Sequence, residues 1–386
     1  MNARILATSP ALTASQDSVA ELLAHAGIGI DGREPWDMRL HDPTVLDDAL
    51  ARGNLGLGEG YVAGLWDCDQ LDGFFERLLR AQLEREAHSP RLAWHALHAK
   101  LVNRQNRRHA WDVGRVHYDL GNDFFAAMLG PRMAYSCGYW RDAGTLAEAQ
   151  EAKLELVCRK LGLRPGMRVL DIGCGWGSFM GYAAERYGVR CIGVTVSKEQ
   201  VAFAEQRYAG LPLEFRLQDY RELSPDTLGG IVDRVVSIGM FEHVGRRNHR
   251  AFMRVVRRCL ADDGLALLHT IGKLRRKSTI DPWIDKYVFP NGDLPSIGQI
   301  GDALDGLLVA EDVHNFGADY DRTLMAWHEN FEAAWPRFAE SHGEAFHRQW
   351  RYYLLSCAGA FRARDLQLWQ WVLSKDGVRG GYRRPE

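Results

Sequence analysis

The 386-residue sequence predicts an α/β fold: an open, doubly wound, mostly parallel sheet with a smaller mixed α/β domain ahead of it. Three observations predict it. The apolar, β-favouring run at residues 167–172 ends in an acid and breaks into glycines at Gly173, Gly175 and Gly177, and a helical stretch follows at once. Strand-like and helical segments then alternate as far as Ile271. Residues 1–88, by contrast, combine helical segments with a glycine-rich middle.

In chain order, the first domain opens with a helix at residues 17–26, turns through a loop-like stretch at 53–64, and closes with an amphipathic helix at 71–83. A linker at residues 89–112 follows. Between residues 91 and 111 it carries Arg91, Lys100, Arg104, Arg107 and Arg108 and no acid, and Trp94, Leu97 and Leu101 recur at helical spacing. Residues 113–386 form the second domain. Its strands are expected at 167–172, 189–194, 213–217, 233–238 and 264–271, with helices at 178–187, 198–208 and 249–260. Strands alternating with helices imply right-handed crossovers and a parallel sheet.

Composition narrows the possibilities. Hydrophobic residues at 46% and charged residues at 25% are ordinary for a soluble globular chain. Lys plus Arg number 48 against 50 Asp plus Glu, so no global basic field for nucleic acid exists. Seven cysteines form no Cys-x-x-Cys pair, which suggests neither a metal site nor a disulfide framework and fits a reducing cytoplasm. The first fifteen residues lack the apolar core of a signal peptide. No apolar run reaches the ~20 residues that span a bilayer, so membrane contact is expected to be peripheral.

The glycine turn carries the chemistry. Glycines there open backbone conformations closed to other residues and let a ligand approach the main chain. Asp171 ends the strand where open α/β sheets place their ligands. The Gly-x-Gly-x-Gly spacing is one residue tighter than the dinucleotide fingerprint, and the turn resembles the S-adenosylmethionine (SAM) loop of class I methyltransferases. A nicotinamide site would place an acid at the end of the next strand. Here the neutral Thr195, Ser197 and Gln200 stand instead, suited to ribose, and Gln218 and Asp219 after the third strand are placed to hydrogen-bond an adenine edge. Helix capping is the competing reading of Thr195 and Ser197. After the fourth strand Glu242 brings a carboxylate to the same edge, and His269 ends the fifth strand opposite it. His243 reads as a packing or capping residue.

Long motifs in the right order carry a wider resemblance. They are Leu57-Gly-Glu-Gly-Tyr61, Trp66-Asp-Cys68, His117-Tyr-Asp-Leu-Gly-Asn122, Tyr135-Ser-Cys137, the glycine turn, and Met240-Phe-Glu-His-Val-Gly245. Leu268-His-Thr-Ile-Gly272, Asp281-Pro-Trp283, Asn315-Phe-Gly-Ala-Asp-Tyr320 and Cys357-Ala-Gly-Ala-Phe-Arg-Ala-Arg-Asp365 complete them. With these the chain resembles the cyclopropane-fatty-acyl-phospholipid synthases, and its N-terminal motifs favour the two-domain bacterial type over the shorter mycolic-acid relatives. The resemblance implies methylene transfer from SAM to the cis double bond of an unsaturated phospholipid, with bound bicarbonate as base. It implies a bicarbonate site at Cys137, Glu242, His269, Ile271 (through its backbone) and Tyr320, with Cys357 as the residue often marked in the active site. A nucleophilic role for Cys357 is not needed by the chemistry. Tyr135, Ser136, Asp171, Gly173, Gly175, Trp176, Gly177, Thr195, Ser197, Gln200, Gln218 and Asp219 are expected to hold SAM.

Sixteen of 40 aromatic residues fall between Asp281 and Trp371, as expected for a lid over an acyl tunnel. Leu324, Trp327, Phe331, Trp335 and Phe338 follow helical spacing and read as core, leaving Phe289, Phe316 and Tyr320 as pocket candidates. The basic linker and Lys273, Arg275, Arg276 and Lys277 would meet the anionic inner face of a membrane. The resemblance also implies lipid docking and homodimerisation through residues 1–88. Two alternatives stand beside this reading: methyl transfer to an amine or hydroxyl, and a catalytically silent lipid-binding protein.

Overall fold

The computed structural model describes residues 12–81, 120–276 and 280–385. The basic stretch 91–111, residues 117–119 of the His117 motif and Lys277 lie outside the described residues. Strands β1 (Arg39–Leu40) and β2 (Trp66–Asp67) make a short antiparallel pair in the N-terminal part. The main sheet contains β3 (Arg168–Ile172), β4 (Arg190–Thr195), β5 (Leu213–Leu217), β6 (Val232–Ile238), β7 (Leu260–Lys273), β8 (Val309–Asn315) and β9 (Leu366–Ser374). Their order is β5-β4-β3-β6-β7-β9-β8. The first five are mutually parallel, as expected, and the helices Ser178–Tyr187, Lys198–Arg207 and His249–Cys259 match their predicted positions within two residues. Strand order reverses between β3 and β6, which opens a crevice at their carboxyl ends.

Strands β8 and β9 were not foreseen, and both run antiparallel to their neighbours. The exposed face of β8 breaks the apolar pattern. In β9 the run Leu366–Ser374 follows directly on the long helix Ala339–Arg362 and reads as its continuation.

The stretch at 53–64 corrects a second expectation. It is not a loop but contains a helix, Asn54–Val62, whose glycines serve packing. A Cβ on Gly56 would lie 2.4 Å from the Asp48 carbonyl oxygen, one on Gly58 2.4 Å from the Trp283 ring, and one on Gly60 2.3 Å from Val45. Only Gly53 and Gly64, at the two ends, adopt positive φ. The aromatic-rich C-terminal region forms two long helices, Ala318–Ala334 and Ala339–Arg362, that pack together, and the second also packs against the N-terminal helix Leu71–Arg80. One continuous core runs from Val19 and Leu71 through Phe124, Trp283 and Trp327 to Leu368. Leu324, Trp327 and Phe331 are buried in it. Trp335 and Phe338 lie beyond the helix end, before and after Pro336, and are half-buried at the edge of the same core.

The close approach at Gly58 yields a prediction. Gly58→Ala should lower the unfolding free energy by about 1–3 kcal/mol, because its methyl group meets the fully buried Trp283 ring. Gly301→Ala, in the exposed interior of the helix Ile297–Leu304 with no atom within 4 Å of its Cβ, should raise it by about 0.5–1 kcal/mol. Urea melts of both variants check this; equal effects would refute the packing role of Gly58.

Candidate active site

The turn after β3 bends through Gly173 (φ 87°), Gly175 (φ 55°) and Gly177 (φ 79°), all left-handed conformations that favour glycine. It borders an open cleft. Tyr135, Ser136, Asp171, Gly173, Gly175, Trp176, Thr195, Ser197, Gln200, Gln218 and Asp219 all line it. The cleft side of Gly175 is empty within 4 Å of a Cβ, whereas Gly173 is pressed against Met240. Gly177 departs from the expected set. It does not line the cleft; it caps the helix Ser178–Tyr187 and leaves room for Phe215, 2.8 Å from where its Cβ would stand.

At the second strand end capping and lining turn out to be compatible. Ser197 Oγ accepts from the Gln200 amide to start the helix, and Thr195 Oγ1 donates to Gln200 Oε1 at 2.7 Å. Asp219 accepts from the Arg221 amide and pairs with the Arg221 guanidinium at 2.9 Å. Both sets still face the cleft.

Two polar groups at or behind the cleft wall escaped the sequence reading, one lining it and one supporting its glycine turn. Lys153, wholly buried on the helix Leu146–Lys160, donates to Ser136 Oγ at 2.9 Å. Burial pushes its ammonium down to about 8, and pushes the nearby Asp171 carboxyl up to about 7 against the opposing pull of Lys153. The signal was a lysine on the apolar face of a helix, in step with Ala149, Leu154 and Val157. Asn122 is the other; its Oδ1 accepts from Trp176 Nε1 at 2.8 Å and steadies the glycine turn.

The second predicted set, Cys137, Glu242, His269, Ile271, Tyr320 and Cys357, does not line this cleft. Their chain neighbours Ser136, Met240 and His243 do. The turn after β6 carries Glu242 toward β7, where its Oε1 accepts the Ile271 amide at 2.6 Å. Its Oε2 is buried without a partner among the described residues, and burial raises the carboxyl to about 7. His269 is buried on β7; its Nδ1 lies 3.2 Å from Gln370 Nε2, and its Nε2 has no partner among the described residues. Burial, with the nearby Lys153 and Lys160, holds this imidazole well below its usual range, so it is neutral. The Tyr320 phenol is pushed far up by burial, with the Cys137 and Cys357 thiols and the Glu242 carboxyl close enough to add to the effect.

Both cysteines are protonated. Burial drives Cys357 up to about 12 and raises Cys137 well above its usual range, and Cys137 donates to the Gly138 carbonyl at 3.1 Å. A thiolate nucleophile is therefore disfavoured. Among the pocket candidates, Phe316 packs 5.8 Å from the His269 ring, and Phe289 lies 6.0 Å from His243 and 6.2 Å from Tyr135. The set offers one carboxyl, one neutral imidazole and one phenol inside an aromatic wall. That can hold and relay a proton while excluding water.

Glu242 has a measurable signature. Its carboxyl titrates near 7 in the folded protein against 4.5 in the unfolded chain. Its contribution to stability is complete below pH 4.5 and is lost as pH rises through 7. Relative to Glu242→Gln, whose amide oxygen can still accept the Ile271 amide, the unliganded protein should lose about 3 kcal/mol across that window. Urea melts at several pH values test it; a pH-independent difference would refute a buried, destabilised carboxylate.

Comparison with known proteins agrees with this geometry. The family described as mycolic acid cyclopropane synthetase matches residues 105–371. The cyclopropane-fatty-acyl-phospholipid synthase of Escherichia coli is 52% identical over 94% of this chain and 94% of its own. Two solved structures superpose with TM-scores of 0.64, each covering 69% of this chain and 98% of its own. They are the cyclopropane synthase MmaA2 from Mycobacterium tuberculosis, 33% identical, and a mycolic acid cyclopropane synthase, CmaA1, complexed with SAH and CTAB, 35% identical. Sheet order, glycine turn and these likenesses converge: the chain belongs to the cyclopropane synthase family of SAM-dependent methyltransferases.

Proposed function

We propose that this protein transfers a methylene group from SAM to the cis double bond of an unsaturated acyl chain in a phospholipid, giving a cyclopropane ring. One observation carries the reading. Near the cleft at the glycine turn two buried polar atoms, Glu242 Oε2 and His269 Nε2, have no partner among the described residues, and Phe316 packs against the His269 ring. The likeness to the E. coli phospholipid enzyme extends beyond the 105–371 region and covers the N-terminal part.

The residues fit both bound groups. Asp171, Thr195, Ser197, Gln200, Gln218 and Asp219 supply the polar contacts a nucleoside needs, and Tyr135, Ser136, Gly173, Gly175 and Trp176 complete the cleft. Glu242 Oε2 can accept from the hydroxyl of a bicarbonate, while His269 Nε2 and Tyr320 donate to it and the Ile271 amide orients Glu242. Cys137 and Cys357, protonated, line that space as small packing groups. When bound, SAM supplies the electrophilic methyl and bicarbonate supplies the oxygen that removes a proton.

The protein's part is positional. It holds the weakly nucleophilic alkene in line with the S–CH₃ bond at near-attack distance. The alkene electron pair forms the C–C bond as the C–S bond breaks and SAH departs. The cation left on the chain then loses a proton from the new methyl, and that C–H pair closes the ring. Water must be excluded meanwhile, which suits Phe289, Phe316 and Tyr320 as lining and their π faces as cation stabilisers.

The lipid must be met at a membrane surface. Among the described residues no helix is long and apolar enough to cross a membrane. Leu274, 69% exposed, stands between Lys273 and Arg275 and would enter the interface. Arg276 is committed to an ion pair with Asp302. Residues 1–88 would serve docking and homodimerisation, at the cytoplasmic face of the membrane.

Two measurements test this. Incubated with SAM and vesicles of cis-unsaturated phospholipid, the protein should convert acyl chains to products heavier by one CH₂ with loss of the alkene; unchanged lipid would refute the reading. Lys153→Met, which frees Ser136 and removes the charge opposing Asp171, should weaken SAH binding about tenfold by calorimetry. Unaltered affinity would remove Lys153 from the donor site.

A further inference from the structure

Across β7, β9 and β8, the residues His269, Gln370 and His314 stand in register, with His269 opposite Gln370 and Gln370 opposite His314. Lys160, the last residue of the helix Leu146–Lys160, reaches this row from outside the sheet. Its Nζ lies 2.8 Å from Gln370 Oε1, 3.1 Å from His314 Nδ1 and 3.9 Å from Asp312 Oδ2. Gln370 is fully buried and Lys160 nearly so.

We propose that Lys160 and Gln370 are positioning residues that lock His269 in the tautomer with its proton on Nε2, the ring atom free to donate to a bound group. The argument is one of donors and acceptors. Burial pulls the Lys160 ammonium down to about 7; while it keeps its third proton it can only donate, so it selects the Gln370 oxygen. That choice turns the Gln370 NH₂ toward His269, where Nδ1 must accept at 3.2 Å. A neutral imidazole accepting at Nδ1 carries its proton on Nε2. Nε2 is the ring atom left without a partner among the described residues. The surrounding charges agree: Lys153 and Lys160 both face His269 and oppose a second proton, while Asp312, paired in turn with Arg384, sits beyond Lys160. Burying a lysine to hold a glutamine is costly, and apolar residues would fill the space with less penalty. A fixed hydrogen-bond direction at His269 is what that cost secures.

The function assigned to this direction, donation to bound bicarbonate, rests on the reading given under Proposed function. The tautomer itself does not. Long-range ¹H–¹⁵N spectra of histidine-labelled full-length protein should show His269 as the Nε2–H form at pH 7. In Gln370→Glu the carboxylate accepts from the imidazole, so the proton should move to Nδ1. In Lys160→Met the amide loses its anchor, and a mixture is expected. With SAM and vesicles, Gln370→Glu should lose about a hundredfold in kcat, as for one oxyanion donor, while its KM for SAM holds. Its half-saturating bicarbonate concentration in CO₂-depleted buffer should rise. An Nδ1–H signal in the parent, or an unchanged tautomer in both variants, overturns the proposal. So does full kcat in Gln370→Glu with a reversed tautomer. Activity of the parent that ignores bicarbonate would instead overturn the base assignment, leaving the tautomer result to judge the relay.

Discussion

The hydrogen bond from the Ile271 amide to Glu242 Oε1 is the contact on which the rest of the site depends. It ties the turn after β6 to the end of β7 and turns the second carboxyl oxygen into a space without water-facing polar partners. Burial then sets the ionisation of each group around it. The Glu242 carboxyl rises to about 7, the His269 imidazole stays neutral, and the thiols of Cys137 and Cys357 stay protonated. A site so arranged has no strong nucleophile of its own, which suits chemistry in which the substrate alkene is the nucleophile.

Burial of ionisable groups is the recurring device. Lys153, Lys160, Asp171, Glu242 and His269 are all buried, and each is either paired to a neutral hydrogen-bonding side chain or left with one open atom. Such groups weaken the unliganded fold, and functional sites are where proteins tolerate that. The aromatic wall and the long helices Ala318–Ala334 and Ala339–Arg362 make the burial possible, because they cover the carboxyl ends of the strands with one continuous core.

Much of this was readable from the chain alone. Each parallel strand came from an apolar run followed by a turn signal, and the glycine turn located the cleft because left-handed backbone admits few other residues. The failures have physical causes. At Asn54–Val62 glycines signalled a loop, yet there they make room for Trp283 and Val45, partners distant in sequence. Lys153 and Lys160, seven residues apart on one helix face, carried a visible signal, since lysines at core positions are unusual. Which groups they meet was not visible.

By itself the sequence determined the parallel half of the sheet, the glycine turn and the family, because these depend on local backbone preference and on motifs short enough to read in one segment. Only the tertiary structure decided the antiparallel β8 and β9, the role of Gly177 in packing rather than lining, and the row His269–Gln370–His314 with Lys160 against it. Strand register and hydrogen-bond direction are set by residues a hundred positions apart meeting in a dry interior. No local pattern encodes which of their atoms will face one another.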